Sequence, residues 1–163
     1  MANASAFRHR FRAVAPLAGA ILVAALAACA QGGGSMMGEK PMAAAPASLY
    51  DRLGGKPAIT AVIDNFVGNV AADPRINQRF AHANIPFLKS SLVDQICQAT
   101  GGPCRYTGPD MRTIHSGMNI TDDEFNDLVQ DLTRSLDKFQ VKQDDQKELL
   151  TALGALRPQI VGV

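Results

Sequence analysis

The stretch YTGPDMRTIHSGMNIT, residues 106–121, delivers a single imidazole, His115, into apolar company: Met111, Ile114, Met118 and Ile120. A histidine facing water has no use for such neighbours. A metal or cofactor ligand does, because a neutral ring nitrogen is a strong donor when kept from water. The other reading is a lone histidine satisfied in the core. Two thiols precede it. Cys97 and Cys104 stand seven positions apart on either side of QATGGP. In an oxidising compartment a chain that turns back at the two glycines can join them, closing a loop worth about 2.5 kcal/mol on the chain-entropy view. Two free thiols or a metal-binding pair are the alternatives. A zinc site would need two more ligands close by, which His115 alone does not supply.

These residues have to be positioned by helices. Ile59, Val62, Ile63, Phe66, Val67 and Val70 recur at helical spacing after Gly54–Gly55, with Pro57 in a first turn and Asp73–Pro74 as the stop. A second helix starts at Asn84 as N-cap and ends at Gly101–Gly102, with Leu88, Leu92, Ile96 and Ala99 as its inward stripe. A third opens on the capping box Thr121–Glu124 and turns Phe125, Leu128, Val129, Leu132, Leu136 and Phe139 to one side. The last carries Leu149, Leu150, Leu153, Leu156 and Ile160 inward. No alternating strand pattern interrupts them, so the fold class is all-α: two pairs of long helices about an irregular middle. That middle, residues 101–120, is long for a helix connection, and long loops in compact domains carry function.

The first 47 residues read differently. Arg8, Arg10 and Arg12 precede an apolar run over residues 13–28 that closes in LAAC, with the cysteine at Cys29. A positive start, a short apolar segment and small residues before a cleavage point mark an export signal, and LAAC resembles the lipobox of bacterial lipoproteins. Residues 1–28 are therefore expected to be a signal peptide and Cys29 the lipidated mature terminus. Residues 29–47, rich in Gly, Ala, Pro and Met, are expected to be a flexible tether, and residues 48–163 the folded domain. The expected location is the cell envelope, on the periplasmic side of a bacterial membrane, with the outer membrane preferred because Gln31 rather than Asp follows at the second position. In the whole chain 16 Lys and Arg oppose 15 Asp and Glu, so no basic excess points to nucleic acid.

The motifs SLYDRLGGKPAI, NVAADPRINQRF, GGPCRYTGPDMRTIHSGMNIT and FNDLVQDL resemble those of the group I truncated haemoglobins, over residues 48 to about 160. The resemblance implies a two-over-two helical sandwich enclosing haem b. It places His115 at the proximal iron ligand, Phe80 flat against the macrocycle, and Leu88, Leu92, Met111, Ile120, Phe125 and Leu128 on its walls. Arg112 becomes a candidate partner for a propionate, as carboxylate suits guanidinium. The distal side departs from the family. Val67, beside Phe66, occupies the place of the usual distal tyrosine, and Leu88 and Leu92 occupy places that often hold glutamine. Gln95 alone could bring an amide near. Lys89 and His82 are the basic candidates for a sixth iron ligand.

The expected function is binding of O2, NO or CO in an unusually apolar distal pocket. NO dioxygenation or haem redox would draw electrons from another protein. A haem-based sensor or carrier, and a haem-free helical interaction lipoprotein, are the competing expectations.

Overall fold

The computed structural model describes residues 45–163. The expected signal peptide, Cys29 and nearly all of the expected tether lie outside the described residues. Six α-helices follow in order: α1 (Leu49–Arg52), α2 (Gly55–Ala72), α3 (Ile85–Ala99), α4 (Met111–His115), α5 (Asp122–Lys138) and α6 (Gln143–Gly154). Single 3-10 turns occupy Asn77–Phe80 and Arg157–Gln159. The described residues contain no strand, only one isolated parallel bridge between Ile120 and Val161. The all-α expectation holds. Among the described helices none is long and apolar enough to cross a membrane.

The central element is α2, which packs on both α3 and α5, while α6 packs on α5 and α1. Its β-branched residues are mediocre helix formers. Burial overrides propensity: Ile59, Val62, Ile63, Phe66, Val67 and Val70 are all in the core, as their spacing predicts. The start of α2 needs unusual backbone. Gly54 and Gly55 take φ of 91° and 72°, a region that favours glycine, and no side chain of the N-cap caps the helix. Instead the Lys56 N–H donates to the Tyr50 hydroxyl at 3.0 Å. The short helix α1, which the periodicity left unread, exists to bring that tyrosine there. Its own capping box is Ser48 with Asp51.

The end of α3 is tied down from several directions. The Tyr50 N–H donates to the Thr100 carbonyl at 2.9 Å. Cys97, fully buried, is bonded to Cys104, so the expected disulfide is present. Gly102 fits only because it has no side chain: a Cβ there would stand 2.4 Å from the Tyr50 ring and 2.7 Å from the Cys97 sulfur.

Three sequence expectations need correction. Ala99 is exposed, and the buried face of α3 is Val93, Ile96 and Cys97. Phe139 is 43% exposed, because α5 stops at Lys138 and the phenylalanine becomes its C-cap, turned off the buried face. Leu156 and Ile160 lie beyond α6, which ends at Gly154. The interior of α5 is also more polar than its pattern suggests. Ser135 and Asp131 are fully buried. Asn69 of α2 donates to the Ser135 hydroxyl at 2.9 Å and to the Asp131 carbonyl at 3.2 Å, while Arg134 meets the Asp131 carboxylate. A small hydroxyl lets the two helices approach closely, and the amide locks their register.

Two carboxylates anchor the corner between α2 and α5. Arg79 grips Glu124 through two bonds of 2.7 and 2.9 Å. That grip, with the Thr121 N–H beside it, holds the Glu124 pKa down at about 2. Asp73, bonded first of all by Arg75, is likewise lowered to about 2. Both values lie below the unfolded carboxylate range near ~4. A depressed folded pKa adds stability that is present above the unfolded value and lost as pH falls through the folded one. The melting temperature should therefore drop between about pH 4.5 and about pH 2. Glu124→Gln should lower the melting temperature at pH 6 and flatten the acid slope, as followed by circular dichroism. An unchanged slope would remove Glu124 from the acid response.

Candidate functional site

Between α2, α3, α4 and α5 lies a cavity of about 550 Å³ with almost wholly apolar walls. His115 stands in its lining. The element that carries it, α4, is one five-residue turn of helix, too short to persist without help. Asp110 caps it, accepting the Thr113 N–H at 2.9 Å and the Thr113 hydroxyl at 2.7 Å. Those bonds hold the Asp110 pKa below the ordinary carboxylate value. Downstream, the Met118 N–H donates to the His115 carbonyl at 3.0 Å, and Gly117 and Asn119 both donate to the Val163 carbonyl, at 3.1 and 3.3 Å. The loop after the histidine is thus strapped to the last residues of the chain. Arg79 adds a bond to the Met118 carbonyl at 2.9 Å, which ties the turn carrying Phe80 to the same loop.

The ring itself is set by its own helix. His115 Nδ1 lies 2.7 Å from the Met111 carbonyl. A carbonyl can only accept, so Nδ1 carries a proton, and in the neutral ring Nε2 then keeps its lone pair. Among the described residues nothing hydrogen-bonds Nε2. This is the arrangement of a metal-ligating imidazole, one nitrogen fixed by a carbonyl and the other free to bind. Yet no three His, Cys, Asp or Glu side chains converge on a metal position among the described residues. One imidazole cannot hold a bare ion. A single imidazole on apolar walls fits a metal carried in a flat apolar macrocycle that supplies its other ligands.

Most residues expected at the site do meet there. Phe66, Val67, Phe80, Leu88, Leu92, Gln95, Met111, Phe125 and Leu128 all line the cavity with His115. Leu88, Leu92 and Gln95 recur at one face of α3. Two of the expected residues lie outside the lining. Ile120 is off the wall, engaged in the bridge with Val161, where its carbonyl accepts the Gly162 N–H at 3.0 Å. Arg112 is exposed and not part of the lining, with a long 3.5 Å contact to the Pro158 carbonyl. Lys89 and His82 are not in the lining either. Lys89 pairs with Asp64 at 2.9 Å, and His82 is exposed.

Among the lining residues that the patterns did not place at the site are Tyr106, Leu153, Leu156 and Ile160. The leucines and Ile160 were legible as inward residues, though not as walls of a void. Tyr106 lay in plain view beside Gly108. Its hydroxyl donates to the Pro109 carbonyl at 2.9 Å and its N–H to Gln98 Oε1 at 2.8 Å. Burial raises its pKa, and the Asp110 charge adds to the rise. Gly108 is what makes room: a Cβ there would stand 2.4 Å from the Tyr106 hydroxyl oxygen.

Comparison with known proteins bears on this geometry. Residues 48–161 match the family described as bacterial-like globin. The chain is 37% identical over 117 residues to the group 1 truncated hemoglobin GlbN of Mycolicibacterium paratuberculosis, covering 72% of this chain and 86% of that protein. Among solved structures, the Fe(III) truncated hemoglobin of Tetrahymena pyriformis superposes with a TM-score of 0.70 at 26% identity, over 72% of this chain and all of that one. The cyanomet 2/2 hemoglobin of a Synechococcus species, with covalently attached heme, gives a TM-score of 0.64 at 32% identity, over 69% and 95%.

Proposed function

The chain belongs to the bacterial-like globin family, and from that premise we propose that it holds haem b through His115 and binds a small diatomic ligand, O2, NO or CO, at the iron. The observation that carries this reading is His115 itself. Its Nδ1–H is spent on the Met111 carbonyl, and its free Nε2 belongs to a residue lining a large apolar cavity. Haem, when bound, supplies an iron that takes such ligands reversibly. The chain supplies the rest. Phe80, Met111, Phe125 and Leu128 enclose the macrocycle and exclude water, and Arg157, 5.1 Å above the Phe125 ring, braces that wall from outside.

The ligand side is the chain's own departure. Phe66, Val67, Leu88 and Leu92 offer no donor to a bound ligand. A hydrogen bond to a charged or strongly polarised acceptor contributes roughly 1.5–3 kcal/mol. Without one from these positions, bound O2 leaves quickly, while CO and NO, which depend less on a donor, are held. Brief binding or NO chemistry fits this pocket better than tight oxygen storage. Turnover would draw electrons from another protein.

The cell-envelope location rests on the N-terminal sequence: three arginines, a short apolar run and the LAAC lipobox ending at Cys29. Lipidation there, followed by the Gly- and Ala-rich tether, would hold the globin domain beside a bacterial membrane.

Three measurements check these readings. The full chain in detergent, made with haem available, should show a Soret band that shifts on dithionite and again on CO. His115→Ala should weaken it strongly and release haem to apomyoglobin. The absence of any Soret band, even with added haemin, would leave a haem-free helical interaction lipoprotein. Val67→Tyr should slow O2 release by about ten- to a hundredfold in stopped flow, from the bond strength above; equal rates would mean the missing tyrosine does not limit residence. In a bacterial host fed radiolabelled palmitate, the wild type should take up label and Cys29→Ala should not. Label on both would move the anchor elsewhere.

A further inference from the structure

The cavity is not wholly without a donor. Gln95 lies on the same face of α3 as Leu88 and Leu92 and is half-buried in the lining. Its Nε2 donates to the Met111 sulfur at 3.3 Å. Among the described residues this is the only side-chain hydrogen bond between α3 and α4. A thioether is a weak acceptor. It is enough to keep an amide from standing bare against an apolar wall, and too weak to hold that amide against a better acceptor. Most of the other polar side chains of the lining are differently placed. The Tyr106 hydroxyl is committed to the Pro109 carbonyl, and Asn77 and Gln78 sit on the 3-10 turn at Phe80, while Ser91 shares the Leu88–Leu92–Gln95 face one turn before Gln95 with a shorter side chain and is the rival donor.

Resting on the haem reading, we propose that Gln95 is a two-position donor that gives the site its ligand selectivity: its amide rests on the Met111 sulfur until an anionic ligand enters, and then turns to that ligand. A charged acceptor forms a bond about twice as strong as a neutral one, so the exchange runs toward the ligand. A ligand with no useful acceptor leaves the amide on Met111. The site thereby favours anionic ligands over CO despite its apolar walls. Nothing is oxidised, reduced or transferred; one hydrogen bond is exchanged for another.

The two partners make opposite predictions, and this separates selectivity from mere support of the fold. If Gln95 serves the ligand, Gln95→Leu loses the donor. Met111→Leu frees the donor by removing the acceptor it rests on. The experiment titrates the haem-loaded full chain with fluoride and azide in the ferric state and with CO in the ferrous state. It compares wild type, Gln95→Leu, Gln95→Met, Met111→Leu and Ser91→Ala. Gln95→Leu and Gln95→Met should weaken fluoride and azide about tenfold, the size of one hydrogen bond to a charged group, and leave CO within about twofold. Met111→Leu should tighten both anions, and Ser91→Ala should move none of the three. Equal losses for anions and CO in the Gln95 variants, weaker anion binding in Met111→Leu, or a loss of anion affinity in Ser91→Ala matching that of Gln95→Leu, would overturn the proposal. A full Soret band accompanying either of those results overturns this inference alone. The loss of any Soret band in the wild type would take the haem reading down with it.

Discussion

An apolar cavity of about 550 Å³ is the constraint on which the rest of this structure depends. Closed as a dry void, a space of that size would cost on the order of 10 kcal/mol, as much as the whole stability of a domain. Such a fold is sustainable only if a guest or solvent fills the space, or if the scaffold holds the walls apart by other means. The scaffold does so with interactions outside the cavity. Asn69 locks α2 to α5 through Ser135 and the Asp131 carbonyl. Arg79 joins the Phe80 turn to Glu124 and to the Met118 carbonyl. The Cys97–Cys104 bond and the Tyr50–Thr100 contact fix the end of α3. None of these groups belongs to the lining. The cavity is framed by polar and covalent ties and left apolar within.

The same division governs the histidine. A five-residue helix cannot orient a ring by its own cooperativity. The orientation is imposed at both ends, by Asp110 before the helix and by the strap from Gly117 and Asn119 to the Val163 carbonyl after it. Gly117, at φ 79°, and Asn119, at φ 49°, make the tight path possible. Within the helix the Met111 carbonyl takes the Nδ1 proton. An irregular segment is well suited to this task. Its free carbonyls and N–H groups are available for specific bonds that a long regular helix would consume internally.

The sequence made the long helices legible because their apolar residues keep a helical period and their ends carry caps that obey local rules: Asn84, Thr121 with Glu124, and the glycines after α3. It made His115 legible because its neighbours are apolar and its motif resembles a known family. Elsewhere the local rules were silent or misleading. Ala99 and Phe139 continue their helical stripes on paper, but the helices end there and the stripe turns away from the core. Ile120 has the apolarity of a wall residue, yet backbone pairing with Val161 and Gly162 draws it off. Ser135 is buried because its hydroxyl takes the Asn69 amide at the α2–α5 crossing, a requirement set between helices and invisible in either alone. The Gln95–Met111 contact is of the same kind, joining residues sixteen positions apart across a loop.

The apolar ligand side has a consequence for the protein without its guest. A tyrosine and two glutamines facing an unfilled pocket would each leave polar atoms short of partners, at roughly 1–3 kcal/mol apiece where water cannot reach. Val67, Leu88 and Leu92 carry no such penalty. The amide on that face of α3, Gln95, is given an acceptor in the Met111 sulfur, so it is not left without a partner. The substitutions that weaken the grip on a bound ligand therefore also lower the cost of waiting for the guest. Tolerance of an unfilled cavity is a physical requirement for any chain that folds before its guest arrives, and this set of side chains meets it.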